Sequence, residues 1–258
     1  MKLQKIFEFR EMGSGDGDGA VKPFLDHLED LRWMIIKVAL TVGISMIACF
    51  ALRGVLVQVV QQPLASVDRE LLENLKSLGV ADSMTISLQL AFYAGFVFAF
   101  PIVLYFLAEF VMPALTGRER KVVMMAAGIG FGLFLCGVAF SYFVVLPQAL
   151  AFFFRDAMAL GWEPTWTVRE YYAFCTQFTV AFGLAFELPV VVLALVKLNI
   201  IDNRMLGHFR PYALVCIFIF AAIITPTQDV VTLMLMGGPM YLLYEICIWI
   251  AKFIERRK

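Results

Sequence analysis

An apolar run over roughly residues 171–198 is long enough to cross a bilayer, and one carboxylate, Glu187, stands deep inside it, two residues before Pro189. In hydrocarbon every backbone N–H and C=O must be satisfied within the protein, so a single run of this kind must be helical. A carboxylate at that depth costs about 2.5–3.5 kcal/mol on insertion scales, so it faces a protein interior or a wet cavity rather than lipid. Pro189 removes a helical N–H and crowds the carbonyl one turn back, which predicts a bend and unsatisfied backbone at the same place. From the residues alone Glu187 has two readings. It is a buried acid hydrogen-bonded to a neighbouring helix, or a polar spot where a partner or a substrate meets the protein.

Five further apolar stretches lie at roughly 33–52, 85–109, 122–146, 212–224 and 230–251. With 61% hydrophobic and 16% charged residues and a mean hydropathy of +0.82, no soluble domain of 258 residues could hide so much apolar surface. The stretch lengths suit helices rather than barrel strands. The expected fold is therefore an all-α membrane protein with six transmembrane helices. The fifth, bounded by Pro211 and Pro226, has an apolar part of only about 20 Å against a hydrocarbon core of about 30 Å. The sixth is interrupted by Gly237-Gly238-Pro239, which predicts a weakened or kinked helix. Gly128 and Gly132 offer a small-residue packing face on the third.

Net charge is zero, but placement is informative. With six spans, only Arg53, Arg69, Lys76, Arg155 and Arg169 of the 21 Lys and Arg fall on one side; the other sixteen share a side with both termini. The excess puts both termini in the cytoplasm of a multi-pass inner-membrane protein. No signal-peptide pattern occupies the first thirty residues. Residues 1–21 read as a disordered tail with the tether Gly13-Ser14-Gly15-Asp16-Gly17-Asp18-Gly19, residues 22–254 as the membrane domain, and 255–258 as a basic tail. Phe24, Leu25, Leu28, Leu31 and Ile35 recur at helical spacing, predicting an amphipathic helix along the cytoplasmic surface before the first span. The loop over about 54–83 is expected to form short helices around a turn at Pro63. With the 147–169 loop and its Trp162 and Trp166, it caps the outer face.

Enzyme chemistry lacks its parts. His27 and His208 sit at cytoplasmic ends, and no His-Glu-x-x-His, Gly-x-Ser-x-Gly or second aligned intramembrane acid is present. The five scattered cysteines, one to a span, predict neither disulfides nor a metal site but small packing residues. No phosphate loop, cofactor motif or nucleic-acid signature is found. An ion-coupled transporter of a small solute fits the intramembrane acid and broken helices, though no repeat relates residues 1–120 to 121–258. It has no need of the carboxylates that punctuate the basic cytoplasmic face at Asp26, Glu29, Asp30 and Glu119. Those acids either pair internally, Glu119 with Arg118 or Arg120, or receive guanidinium groups from a peptide.

His27-Leu28-Glu29-Asp30-Leu31-Arg32 resembles the leading motif of the TatC family, the core subunits of twin-arginine translocases. The likeness continues in order through Phe100-Pro101-Ile102-Val103-Leu104-Tyr105, Phe110-Val111-Met112-Pro113 with Glu119, Phe140 to Pro147, Phe186-Glu187-Leu188-Pro189, Arg210-Pro211-Tyr212, Thr225-Pro226 with Asp229, and Pro239 to Glu245. Asp30 replaces the usual Glu; Phe106, Ala108 and Leu233 replace the family's common Gln, Trp and Gln. The resemblance implies a receptor for twin-arginine signal peptides of folded proteins, driven by the proton-motive force. It implies an oligomeric complex in the lipid bilayer with single-span TatA- and TatB-type subunits. By matching position, Glu119 and Asp30 bind the paired arginines, with Phe110, Glu29 and Arg32 in the same signal-peptide patch. Glu187, with Pro189 beside it, meets a polar residue of a partner helix or the inserted peptide. Pro63 and Asp229 match structural positions on the outer face.

Overall fold

The computed structural model describes residues 24–198, 200–225 and 229–255. The tail and tether over 1–21, most of the basic tail and Pro226 lie outside the described residues. Among the described residues the structure is helical apart from turns and one isolated bridge. Five helices are long and apolar enough to cross a membrane, and a sixth apolar helix is shorter.

Helix α1 (Phe24–Ala51) runs unbroken for 28 residues. The separate surface helix expected before the first span is therefore a misreading. No Gly or Pro lies between Phe24 and Val42, so nothing ends the hydrogen-bond ladder, and the amphipathic segment forms the first turns of the span itself. Helix α1 packs along α4 (Asp82–Val111). A Cβ on Gly95 of α4 would stand 2.7 Å from the Met46 backbone nitrogen, so contact this close needs glycine.

At the far end, α2 (Arg53–Ala65) and α3 (Arg69–Glu73) form the expected short helices. Pro63 is not at the turn between them. It is buried inside α2, and the turn follows at Ser66, whose hydroxyl donates to the Pro63 carbonyl at 2.6 Å. Proline leaves the carbonyl four residues back without its helical donor. That carbonyl belongs to Val59, and Tyr142 supplies the missing donor through its hydroxyl at 2.7 Å. Tyr171 likewise donates to Val60 at 2.6 Å. Lys76 donates to the Trp166 carbonyl at 3.2 Å and accepts from Val168 at 3.0 Å, tying the two loops into the expected cap.

The third span is longer than its apolar stretch. Helix α5 (Gly117–Phe140), a π-helical turn (Ser141–Val145) and α6 (Leu146–Ala159) form one rod, so half of the presumed 147–169 loop is helix. In a regular helix Pro147 would strike the Phe143 carbonyl; the wider π turn moves that carbonyl aside. The fourth span is broken as predicted, into α7 (Val168–Ala185) and α8 (Leu188–Lys197) with Phe186 and Glu187 in the turn. Helix α7 is the centre of the core: Phe178 and Phe182 are fully buried, and Phe134 of α5 stacks on Phe100 of α4 at 3.6 Å.

Helix α9 (Asn203–His208) leads into α10 (Arg210–Ile224), whose 15 residues span about 22 Å. Helix α11 (Val230–Glu255) passes through Gly237-Gly238-Pro239 without interruption, so the last span is not broken. Gly237 instead serves packing, since a Cβ there would lie 2.7 Å from Phe218 Cε1 of α10. Gly128 and Gly132 touch nothing within 4 Å of a built Cβ; the close contacts of α5 fall at Gly130 and Gly137. Of the cysteines, Cys49, Cys175 and Cys247 are buried as packing residues, whereas Cys136 and Cys216 are exposed.

Candidate functional site

Two places combine polar chemistry with apolar surroundings. The first is a groove of about 150 Å³ where the start of α1 meets the end of α4. Asp30, Trp33, Met34 and Lys37 recur at helical spacing on α1, and Phe106, Glu109 and Phe110 do so on α4, with Pro113 in the turn just beyond it, so each helix turns one face to the groove. His27 stacks on Phe110 with ring centroids 4.4 Å apart. Lys37 Nζ lies 3.6 Å from Glu109 Oε2 and 5.5 Å from the centre of the Phe106 ring. Asp30 and Phe110, which the sequence pairs, are thus brought together. Glu29 and Arg32 are exposed on α1 and do not line the groove.

Glu119 opens α5, just past the turn that follows Pro113. Its Oε2 accepts from the Thr116 N–H and the Thr116 hydroxyl, each at 2.8 Å, closing a capping box. Of the internal pairings left open, that with Arg120 is not seen, since Arg120 Nε donates to the carbonyls of Met112 and Leu115 at 3.2 and 3.3 Å; the Arg118 side chain lies outside the described residues. The cap anchors the carboxylate through one oxygen at the positive end of a helix.

The second place is the break in the fourth span. Glu187 Oε1 is buried, and among the described residues it and Ser141 Oγ are the buried side-chain polar atoms without a hydrogen-bond partner. The first reading of this acid, a hydrogen bond to a neighbouring helix, is not what is seen. The space for its carboxylate comes from α5: a Cβ on Gly130 would lie 2.7 Å from Glu187 Oε2. Pro189, in the first turn of α8, is buried. An orphaned buried acceptor of this kind costs about 1–3 kcal/mol until a donor reaches it.

At the far end Pro63 lines an almost wholly apolar groove of about 590 Å³ between the cap and the spans. Asp229 caps α11, accepting from the Thr232 N–H at 2.8 Å and the Thr232 hydroxyl at 2.6 Å. No group of three or more His, Cys, Asp or Glu able to hold a metal occurs among the described residues. Sequence reasoning missed His27 as a ring partner, Lys37 and Glu109 as a pair, and Gly130 as the seat of Glu187. The α1 and α4 periodicities contain the signal for the pair, but the glycine has none without a neighbour.

An all-helical bundle with several candidate spans, an acidic and aromatic groove at one end and an acid-bearing break within a span defines a polytopic membrane protein. Residues 26–239 match the family model for Sec-independent protein translocase protein (TatC). A TatC of Akkermansia muciniphila is 45% identical over 190 residues, 74% of this chain and 55% of its own length, so the chain spans about half of that relative. A TatC of Carboxydothermus hydrogenoformans is 35% identical over 236 residues, 90% of this chain and 94% of its own. Two crystal structures of the twin arginine translocase receptor TatC, both 32% identical, superpose with TM-scores of 0.75 and 0.78, covering 88% and 87% of this chain and 98% and 99% of theirs. The chain belongs to the TatC family.

Proposed function

We propose that the protein is the receptor and core scaffold of a twin-arginine translocase, seating the signal peptides of folded cargo proteins at its cytoplasmic face. The observation that carries this reading is the groove between α1 and α4. Asp30 and Phe110 line it together, and the Glu119 carboxylate is held by its capping box at the adjoining turn. Guanidinium groups bind carboxylates by paired, charge-assisted hydrogen bonds and stack on aromatic faces. Glu29 and Arg32, exposed on α1 outside the groove, belong in this reading to the same signal-peptide patch. In this reading α10 is a sixth span, both termini are cytoplasmic, and the basic groups flanking the groove hold that end at the inner face of a bacterial cytoplasmic membrane. Residues 22–254 then form the membrane domain, with a tail on either side.

Glu187, on the second surface, receives a donor from a single-span helix of the TatA or TatB type or from an inserted peptide. The ten residues of α8 separate it by about 15 Å from the cytoplasmic end, so recognition and docking are distinct steps. Pro63 and Asp229 shape the opposite end. The complex is oligomeric and uses the proton-motive force, with no cofactor.

Crosslinking a labelled twin-arginine peptide to the cytoplasmic face tests the assignment. Glu119→Gln keeps the capping box, which accepts Gln, but removes the charge; binding should fall about ten- to a hundredfold. Glu119→Arg adds repulsion and should abolish it. Unchanged binding by both inserted variants would remove the receptor role from this end.

A further inference from the structure

We infer that Lys37 is a built-in occupant of the arginine subsite and that Glu109, which holds it, is a further carboxylate of that subsite. The inference rests on the receptor reading above. The ammonium of Lys37 sits where a bound cation would sit, within 3.6 Å of Glu109 Oε2 and facing the Phe106 ring at 5.5 Å, in the groove that Asp30 and Phe110 also line. Carboxylate on one side and aromatic face on the other is the environment that suits a guanidinium better than an ammonium. The planar fork makes two parallel hydrogen bonds to a carboxylate and lies flat on a ring, whereas an ammonium is a strongly hydrated point charge. The sequence departure at Phe106, where the family commonly has Gln, is what supplies the ring.

The pair is weak enough to be displaced. Lys37 and Glu109 are each about half exposed, at 47% and 48%, and their separation of 3.6 Å is long for a charged hydrogen bond. The long lysine stem lets the ammonium swing out without disturbing α1. Lys37 therefore keeps Glu109 satisfied at the membrane edge while no peptide is bound, and an arginine exchanges for it. Exchange favours ligands that bring guanidinium groups over those that bring lysines, so Lys37 raises selectivity at the expense of affinity.

The test is titration of full-length protein in lipid nanodiscs with a twin-arginine signal peptide, its twin-lysine version and its twin-glutamine version. Lys37→Gln should tighten twin-arginine binding about two- to fivefold, the range set by an exposed ion pair. It should also narrow the preference over twin-lysine. Lys37→Met, which keeps the apolar stem over Phe106, should do the same. Glu109→Gln should weaken twin-arginine binding, and Lys37→Gln in that background should recover less than it gains alone. Lys197→Gln, an exposed lysine on α8 outside the groove, controls for a general charge effect and should leave binding unchanged. Equal or weaker binding by both Lys37 variants, or an equal gain from Lys197→Gln, overturns the inference while the receptor reading stands. If wild type fails to distinguish twin-arginine from twin-glutamine peptide, the receptor reading falls and this inference falls with it.

Discussion

Glu187 and Gly130 make one unit at the residue scale, because the glycine leaves the space that the carboxylate fills. Glu187→Ala removes an unpartnered buried acceptor, so the variant should insert and be at least as stable as wild type. Peptide crosslinking at the cytoplasmic face should survive in it, while export of a folded reporter is lost. Normal export would make the acid structural only. Gly130→Ala should act on the same step by a different route. Its methyl would meet a flexible side-chain end rather than backbone, so the fold should lose no more than about 1–3 kcal/mol while the carboxylate is displaced. Combining the two substitutions should give an export defect no deeper than Glu187→Ala alone. Additive defects would separate the glycine from the acid.

Among the elements, α2 and the third span are joined by a proline and a tyrosine. Pro63 leaves the Val59 carbonyl without its helical donor, and Tyr142 replaces that donor from across the bundle. Tyr142→Phe should therefore destabilise the cap by about 1 kcal/mol, the typical net worth of such a bond. The loss should shrink in a Pro63→Ala background, where the backbone N–H returns and the tyrosine becomes redundant. Protease susceptibility of the 66–81 segment reads both effects, and equal losses in the two backgrounds would break the link. If helix α10 is the sixth span proposed above, it is short for one, and neighbouring lipid must thin around it or other helices must cover it. Inserting four leucines after Ala213 should lower transport and leave peptide binding intact. Wild-type transport in that variant would show that the short helix does not matter.

For the whole molecule the central question is which end faces the cytoplasm. The groove, Glu119 and the carboxyl end of α11 share one end; α2, α3 and the 160–167 loop share the other. In right-side-out spheroplasts, a protease site placed in the 160–167 loop should be cut, while a tag fused after Lys258 stays protected. The reverse pattern would put the groove outside and remove it from contact with newly made cargo. The Arg210 guanidinium, bonded to both Glu245 oxygens at 2.8 and 3.1 Å, fastens α10 to α11 at the groove's end of the bundle. The short hairpin is therefore held at that end rather than by its length.

Hydropathy alone determined that this chain is helical and lipid-embedded, because apolar runs of this length can satisfy their backbone in no other way. It also set the break at Glu187, since proline removes a hydrogen bond whatever its neighbours do. Asp30 and Phe110 were legible as partners through the family motifs that carry them. Other features depended on neighbours distant in the chain. Gly237 looked like a helix breaker until Phe218 lay against it, and Pro63 looked like a turn until Tyr142 met Val59. Gly130 was invisible beside the more conspicuous Gly128 and Gly132, although it alone of the three abuts Glu187. Backbone satisfaction is a local demand that a sequence displays, whereas close approach between helices is a property of pairs of surfaces, and only the tertiary structure decides which surfaces meet.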